Sequence, residues 1–345
     1  MKRPPTTLLR YREWFSFLAI TGVFFASFFL LGSPWLDDWD SIQFVLAVDE
    51  FSLQKHQPHP PGYLAYILMA RAVRWVTGDA QSALLACSAL AGALSIALLY
   101  LLGNRLFGPP AGIIAALLFS VAPAVYQMSL VAMADIVILP LYLGAGWLYL
   151  RGTEDDQRYR SVHLALASFL LGWGLGVRPQ WIFLCCALAL VAAVRIRSLP
   201  RLAVATTGGV AGTLAWLLPS VQSVGGLGRY LDLCQTQFGA HPESRSKFSF
   251  EEISAFVRRF TDDWKLALAL ILASALLSLV FLVFTRRTTS RVRGTGLKAL
   301  ILAVLAATGV ATALLFHPLT FKRVLLPSLP AFALLLSGQI GRAHV

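Results

Sequence analysis

The chain has 345 residues, 57% of them hydrophobic and only 13% charged, with a formal net charge of +12. Soluble domains carry roughly 25% charged residues, so this composition excludes an ordinary water-soluble enzyme. The basic residues sit in short clusters between apolar runs, the pattern of loops that hold membrane topology rather than of a nucleic-acid surface.

In chain order, basic Met1–Arg12 leads into an apolar run long enough to remain as an anchor, and no cleavable signal is evident. Apolar runs follow that can each cross a ~30 Å hydrocarbon core. Spans are expected at 14–32, 82–102, 110–126, 134–150, 162–177, 180–194, 202–219, 264–285, 297–316 and 323–337. The fold class is therefore all-α, a polytopic transmembrane helical bundle of about ten spans. The four cysteines give no disulfide framework, and Cys87, Cys185 and Cys186 lie inside apolar runs as small hydrophobes.

Residues 33–81 read as a first outer loop. Its stretch 35–64, WLDDWDSIQFVLAVDEFSLQKHQPHPPGYL, gathers five carboxylates and two histidines. The segment 62–76, GYLAYILMARAVRWV, is apolar but short and carries Arg71 and Arg74. Counted as non-spanning, it leaves 1–13, 103–109, 151–161, 195–201 and 286–298 on one side, with sixteen of the twenty-nine Lys and Arg. Counted as a span, it would send the last four of those segments outside. The positive-inside rule thus makes 62–76 a juxtamembrane or re-entrant helix.

Thirteen of the seventeen carboxylates then fall on the outer side, Asp135 included, with His59, Arg178, His317, Lys322 and Arg323. Polar groups from distant parts of the chain converge on one face, where a cleft is expected. Residues 220–263 form a second large outer loop with helical patterns near 226–238 and 250–261, a flap over that cleft. Ser249 and Glu252 have capping-box spacing for the second helix. The terminal QIGRAHV resembles the in-frame translation of a sequencing adapter. Residues 339–345 are therefore expected to be an artefact and the domain, 1–337, to be truncated.

Asp37, Asp38 and Asp40 precede a helical pattern at 41–51. One carboxylate suffices as a helix cap, a task that Asp37 or Asp38 can take and that suits Asp37 better, and Asp40 also favours the positive first turn. Asp40 is the candidate base for an attacking hydroxyl, with Asp38 in support. His56 and His59 are separated by Pro58, which argues against a helical metal pair; His59 better suits a hydrogen bond to phosphate or acceptor. Asp135 fits either a helix N-terminal charge or a functional role beside Asp40, including as a metal ligand. Arg178, His317, Lys322 and Arg323 are candidate substrate-binding groups, since a guanidinium fork can hold two phosphate oxygens; for Arg178 the competing reading is snorkelling at a helix end.

These motifs resemble the GT-C membrane glycosyltransferases, in particular the family-39-like group of protein O-mannosyltransferases and aminoarabinose transferases. The layout of first span, acidic motif, HPP and juxtamembrane helix is that group's. WDSIQF at 39–44 with HPPGY at 59–63 also resembles a related mannosyltransferase-like family. Asp40 takes the shared acidic position, and Ser41 stands where many members have a second carboxylate. Asp135 matches the second acidic position, and RVLLPSLP at 323–330 resembles the RYLLPxxP segment, carrying over Arg323. The resemblance implies inverting transfer of a sugar from a polyprenyl-phosphate donor to an acceptor hydroxyl on the extracytoplasmic face. It implies a multi-pass protein of the bacterial inner membrane whose partners are the lipid-linked donor, membrane lipid and an unspecified acceptor. The family's use of a divalent metal ion varies; Asp40 and Asp135 would be its ligands. The competing class is a transporter or flippase of a lipid-linked or anionic solute, which would need charges and broken helices in mid-span. Spans 82–102, 110–126 and 264–285 have essentially no charge in their centres.

Overall fold

A computed structural model describes residues 6–36, 38–153, 159–196, 198–240, 329–331 and 333–334. The expected spans at 264–285 and 297–316 and the second helix of the 220–263 loop lie outside them, as does most of the span at 323–337. Among the described residues there is no β-strand, and a single bridge joins Ser52 to Gln57. The helices are α1 (Thr6–Leu30), α2 (Trp39–Asp49), α3 (Leu64–Thr77), α4 (Ala80–Phe107), α5 (Pro109–Ser120), α6 (Pro123–Ser129), α7 (Ile138–Thr153), α8 (Arg160–Leu175), α9 (Ile182–Arg195), α10 (Leu199–Ser223) and α11 (Leu227–Ala240). Among the described residues, α4 and α10 are long and apolar enough to cross a membrane by themselves, and α5 with α6 makes a third candidate.

The central post is α4, which packs against α1, α2, α3, α5, α6 and α7. Its start is fixed by Asp79, whose carboxylate accepts the Ser82 N–H at 2.8 Å, satisfying one of the orphan donors of a helix N-terminus. Its neighbours approach closely because alanines line it: Ala83, Ala89, Ala93 and Ala97 are fully buried. The α8–α10 pair uses glycine for the same end. A Cβ at Gly208 would strike the Ala165 carbonyl, one at Gly212 the Phe169 carbonyl, and one at Gly172 the Gly209 carbonyl. Helices in lipid gain little from hydrophobic burial against each other, so such backbone approach is a main source of their association.

Two expected spans begin or run differently. The run at 110–126 is not one helix: α5 and α6 meet at 66° across Val121 and Ala122. Pro123 pushes Ala122 out of the helical region, to φ −66° and ψ 122°, and cannot donate to the preceding turn. The run at 134–150 starts its helix only at Ile138, which leaves Asp135 in the irregular stretch 130–137.

Within 62–76, the residues from Leu64 onward fold as α3, a 14-residue helix with Leu64, Ala65, Tyr66, Ile67 and Ala70 buried and Trp75 and Val76 about nine-tenths exposed. Its two arginines are spent on α2. Arg71 donates to the carbonyls of Val48 (2.9 Å) and Ala47 (3.1 Å), groups at the α2 C-terminus that have no partner within the helix, and Arg74 pairs with Asp49. The start of α3 is tied to the end of α8 by the Ala65 N–H donating to the Gly176 carbonyl at 3.2 Å.

Candidate active site

The site is built where four connections meet: the α1–α2 loop, the turn between α2 and α3, the stretch before α7, and the turn between α8 and α9. Asp38 is the N-cap of α2, accepting the Asp40 N–H at 3.0 Å. Of the two carboxylates expected to cap, Asp37 lies outside the described residues and Asp38 takes the task. Asp40, in the first turn, is left with its side chain 24% exposed. Ser41 donates its hydroxyl to the Ala132 carbonyl at 3.0 Å, and Ser88 of α4 bonds Met133 through both backbone groups. These contacts pin the stretch carrying Asp135 between α2 and α4. A cleft of about 460 Å³ opens beside it, bordered by Ser33, Asp38, Ser41, Gln127 and the apolar Leu130 and Met133.

The HPPGY turn delivers two side chains. Gly62 has φ +114°, and a Cβ there would press on the Leu53 side chain, so glycine is required on both counts. Tyr63 follows in the left-handed region at φ 48°, a conformation a non-glycine residue keeps only when its surroundings enforce it. Its ring is 2% exposed and stands edge-on to Phe44 at 5.2 Å. His59 lies within 3.7 Å of the Asp40 carboxylate, 2.6 Å from Gln43 Oε1 through Nδ1, and 3.1 Å from the Tyr63 hydroxyl through Nε2. His56 is exposed and in the left-handed region, at the end of the short 3-10 turn Leu53–Lys55.

On the other side of Tyr63, Arg178 donates to the phenol oxygen at 3.4 Å and to Asp135 Oδ1 at 2.9 Å. Both charged side chains are more than nine-tenths buried, and Asp135 Oδ2 has no hydrogen-bond partner among the described residues. Burial works against the Arg178 charge, but Asp135 and Tyr63 more than offset it and hold the guanidinium above its ordinary pKa. Burial raises the Tyr63 phenol, with Arg178 opposing, so it stays protonated at neutral pH. The result is a continuous polar line, Asp40, His59, Tyr63, Arg178, Asp135, through an otherwise apolar interior.

The sequence reading names four of these five side chains and misses Tyr63 together with Gln43, which orients His59. The fork of Arg178, expected to face a phosphate, holds Asp135. His317, Lys322 and Arg323 lie outside the described residues. Among the described residues no three His, Cys, Asp or Glu side chains gather as a metal ion would need, and Asp135 faces a cation already. The described residues therefore do not compose a divalent-metal site.

After α10, α11 reaches the same turn: Tyr230 donates to the Pro61 carbonyl at 2.9 Å and packs with Leu53 and Val224.

Residues 58–221, which contain His59, Tyr63, Asp135 and Arg178, match the family model described as dolichyl-phosphate-mannose-protein mannosyltransferase. The matched segment is just under half of the chain. Similar solved structures include ArnT from Cupriavidus metallidurans in the apo state (15% identity, 94% of this chain and 76% of that one, TM-score 0.45). The same protein bound to undecaprenyl phosphate aligns at 13% identity over 95% of this chain and 77% of that one, with a TM-score of 0.46. The archaeal oligosaccharyltransferase AglB from Archaeoglobus fulgidus, in complex with an inhibitory peptide and a dolichol-phosphate, aligns at 15% identity over 97% of this chain and 51% of that one, TM-score 0.47. A search of curated proteins finds no significant match.

Proposed function

We propose that this protein moves a sugar from a polyprenyl-phosphate donor to an acceptor hydroxyl at the extracytoplasmic face of a bacterial inner membrane. The observation that carries the reading is the polar line from Asp40 to Asp135 inside and beside the segment matched to a lipid-phosphate-sugar-dependent family. The full chain has about ten spans in this reading, with α3 lying along the outer surface and the site at the level of its N-terminus.

Asp40 takes the proton of the acceptor hydroxyl as that oxygen attacks C1 of the donor sugar. The bond between C1 and the phosphate oxygen breaks, and polyprenyl phosphate leaves as the anion. A phosphate is a good leaving group, so no separate acid has to protonate it. One displacement at C1 inverts its configuration. Asp135 keeps Arg178 charged and aimed, and the guanidinium offsets the charge that develops on the departing phosphate. Arg323, Lys322 and His317 are assigned to the same phosphate, and Asp38 to holding the first turn of α2 in register.

The test is reconstitution of the protein in proteoliposomes with labelled polyprenyl-phosphate sugars, and separately with nucleotide sugars. Label reaching an acceptor from the lipid-linked donor alone, with inverted anomeric configuration, is expected. Transfer from nucleotide sugars alone would overturn the donor assignment, and retained configuration would overturn the single displacement.

A further inference from the structure

The direction of each hydrogen bond in the polar line can be worked out from its ends. The backbone N–H of His59 can only donate, and it meets Gln43 at 3.1 Å, so the Gln43 atom there is the carbonyl Oε1. The same oxygen lies 2.6 Å from His59 Nδ1, and as a pure acceptor it requires a proton on Nδ1. At the other end, Arg178 has donors only, so the Tyr63 oxygen accepts from it at 3.4 Å. The phenol hydrogen is then free to point at His59 Nε2, 3.1 Å away, which receives it through a bare lone pair.

We propose that Gln43 and Tyr63 are positioning residues that together fix His59 as the neutral Nδ1–H tautomer, Gln43 by accepting at Nδ1 and Tyr63 by donating to Nε2, and so keep a donor, not a lone pair, on the side of the ring that faces Asp40. This rests on the reading of Asp40 as the base. Free imidazole in water prefers the proton on Nε2, so the tautomer is imposed by the site and not by the ring itself. Its use is to favour the ionised, proton-accepting form of Asp40: a ring turned the other way would put a lone pair 3.7 Å from the carboxylate and repel it. The geometry supports a dedicated role for the hydroxyl. Tyr63 occupies a left-handed backbone position, its ring is packed on Phe44 and His59, and its oxygen joins His59, four residues away in sequence, to Arg178, 115 residues away. Phenylalanine could fill the same space, so packing alone does not call for the hydroxyl.

The test uses the full chain in lipid nanodiscs with 15N-labelled histidine, near neutral pH. The His59 ring signals are those that vanish in His59→Gln, and ring-proton couplings tell Nδ1 from Nε2. The wild type is expected to carry the proton on Nδ1 with Nε2 bare. In the double variant Gln43→Leu/Tyr63→Phe, which removes both contacts, the proton is expected to move to Nε2 in most molecules, with the His163 signals unchanged as a check on folding. In the same variant kcat for sugar transfer is expected to fall about tenfold with little change in donor KM. A wild-type His59 protonated on Nε2, whether neutral or doubly protonated with the phenol turned to nearby Gln180, overturns the proposal. So does a tautomer that the double variant leaves in place. Because the spectrum of the wild type answers without turnover, failure of the tautomer assignment is separable from failure of Asp40 as base, which Asp40→Asn reads.

Discussion

Asp135 and Arg178 meet at 2.9 Å, 43 residues apart in sequence, with side chains only 6% and 9% exposed. Desolvating two charges costs several kcal/mol each, and their attraction recovers it only while both are present. Removing either one, as in Asp135→Leu or Arg178→Met, is expected to destabilise the protein by about 3–5 kcal/mol because the other charge is left buried alone. The double variant should recover much of that loss and remain inactive. Thermal unfolding in detergent beside a transfer assay checks both halves: single variants as stable as wild type would show that the pair does not act as a unit.

The two arginines of α3 are expected to behave differently. Arg71→Met strips two carbonyls at the α2 C-terminus of a charged donor, worth about 1.5–3 kcal/mol. Arg74→Met breaks a more exposed pair with Asp49 and is expected to cost under about 1 kcal/mol. Hydrogen exchange over residues 39–49 should speed up in the first variant and stay near wild type in the second.

Asp79 links stability to pH. Hydrogen bonds to Ser82 hold its carboxyl below the ordinary carboxylate value in the folded protein. A depressed carboxyl contributes stability above its unfolded value and loses it as pH falls through the folded one. Asp79→Ala is expected to cost about 1 kcal/mol at neutral pH, as loss of a helix cap does, and to shrink toward no effect in strong acid. A cost that persists unchanged at low pH would mean that the carboxylate is not what matters there.

Gly208 and Gly212 set the distance between α8 and α10. Valine at either position drives a side chain into a carbonyl of the facing helix. The expected cost is about 1–3 kcal/mol or more, with the larger share of the damage in the α8–α9 turn that carries Arg178. Folded yield and unfolding temperature of Gly212→Val against wild type measure it; an unchanged protein would mean that the two helices can separate freely.

Much of this was legible before the fold was known, for reasons that differ by residue. Loop charge sets 62–76 apart from the expected spans, and in the structure its two arginines are anchored to α2. Carboxylates and an arginine in an apolar chain stand out by cost alone, which is how Asp40, Asp135 and Arg178 came to notice. The pairing of Asp135 with Arg178 was not legible, because it depends on how the stretch 130–137 is clamped between Ser41 and Ser88. Nor was Tyr63, a tyrosine at the start of an apolar helix with no local sign of its hydroxyl's task. The bend between α5 and α6 was signalled by Pro123, but a continuous apolar run masked it.

The central claim, that Asp40 accepts the proton of the attacking hydroxyl, is tested most directly by turnover of Asp40→Asn with a labelled polyprenyl-phosphate sugar in proteoliposomes. Asparagine preserves shape and cannot take the proton, and Asp38 still caps α2. The account predicts a fall in kcat of about 100-fold or more, with donor binding and unfolding temperature close to wild type. Wild-type turnover by the folded variant would contradict it.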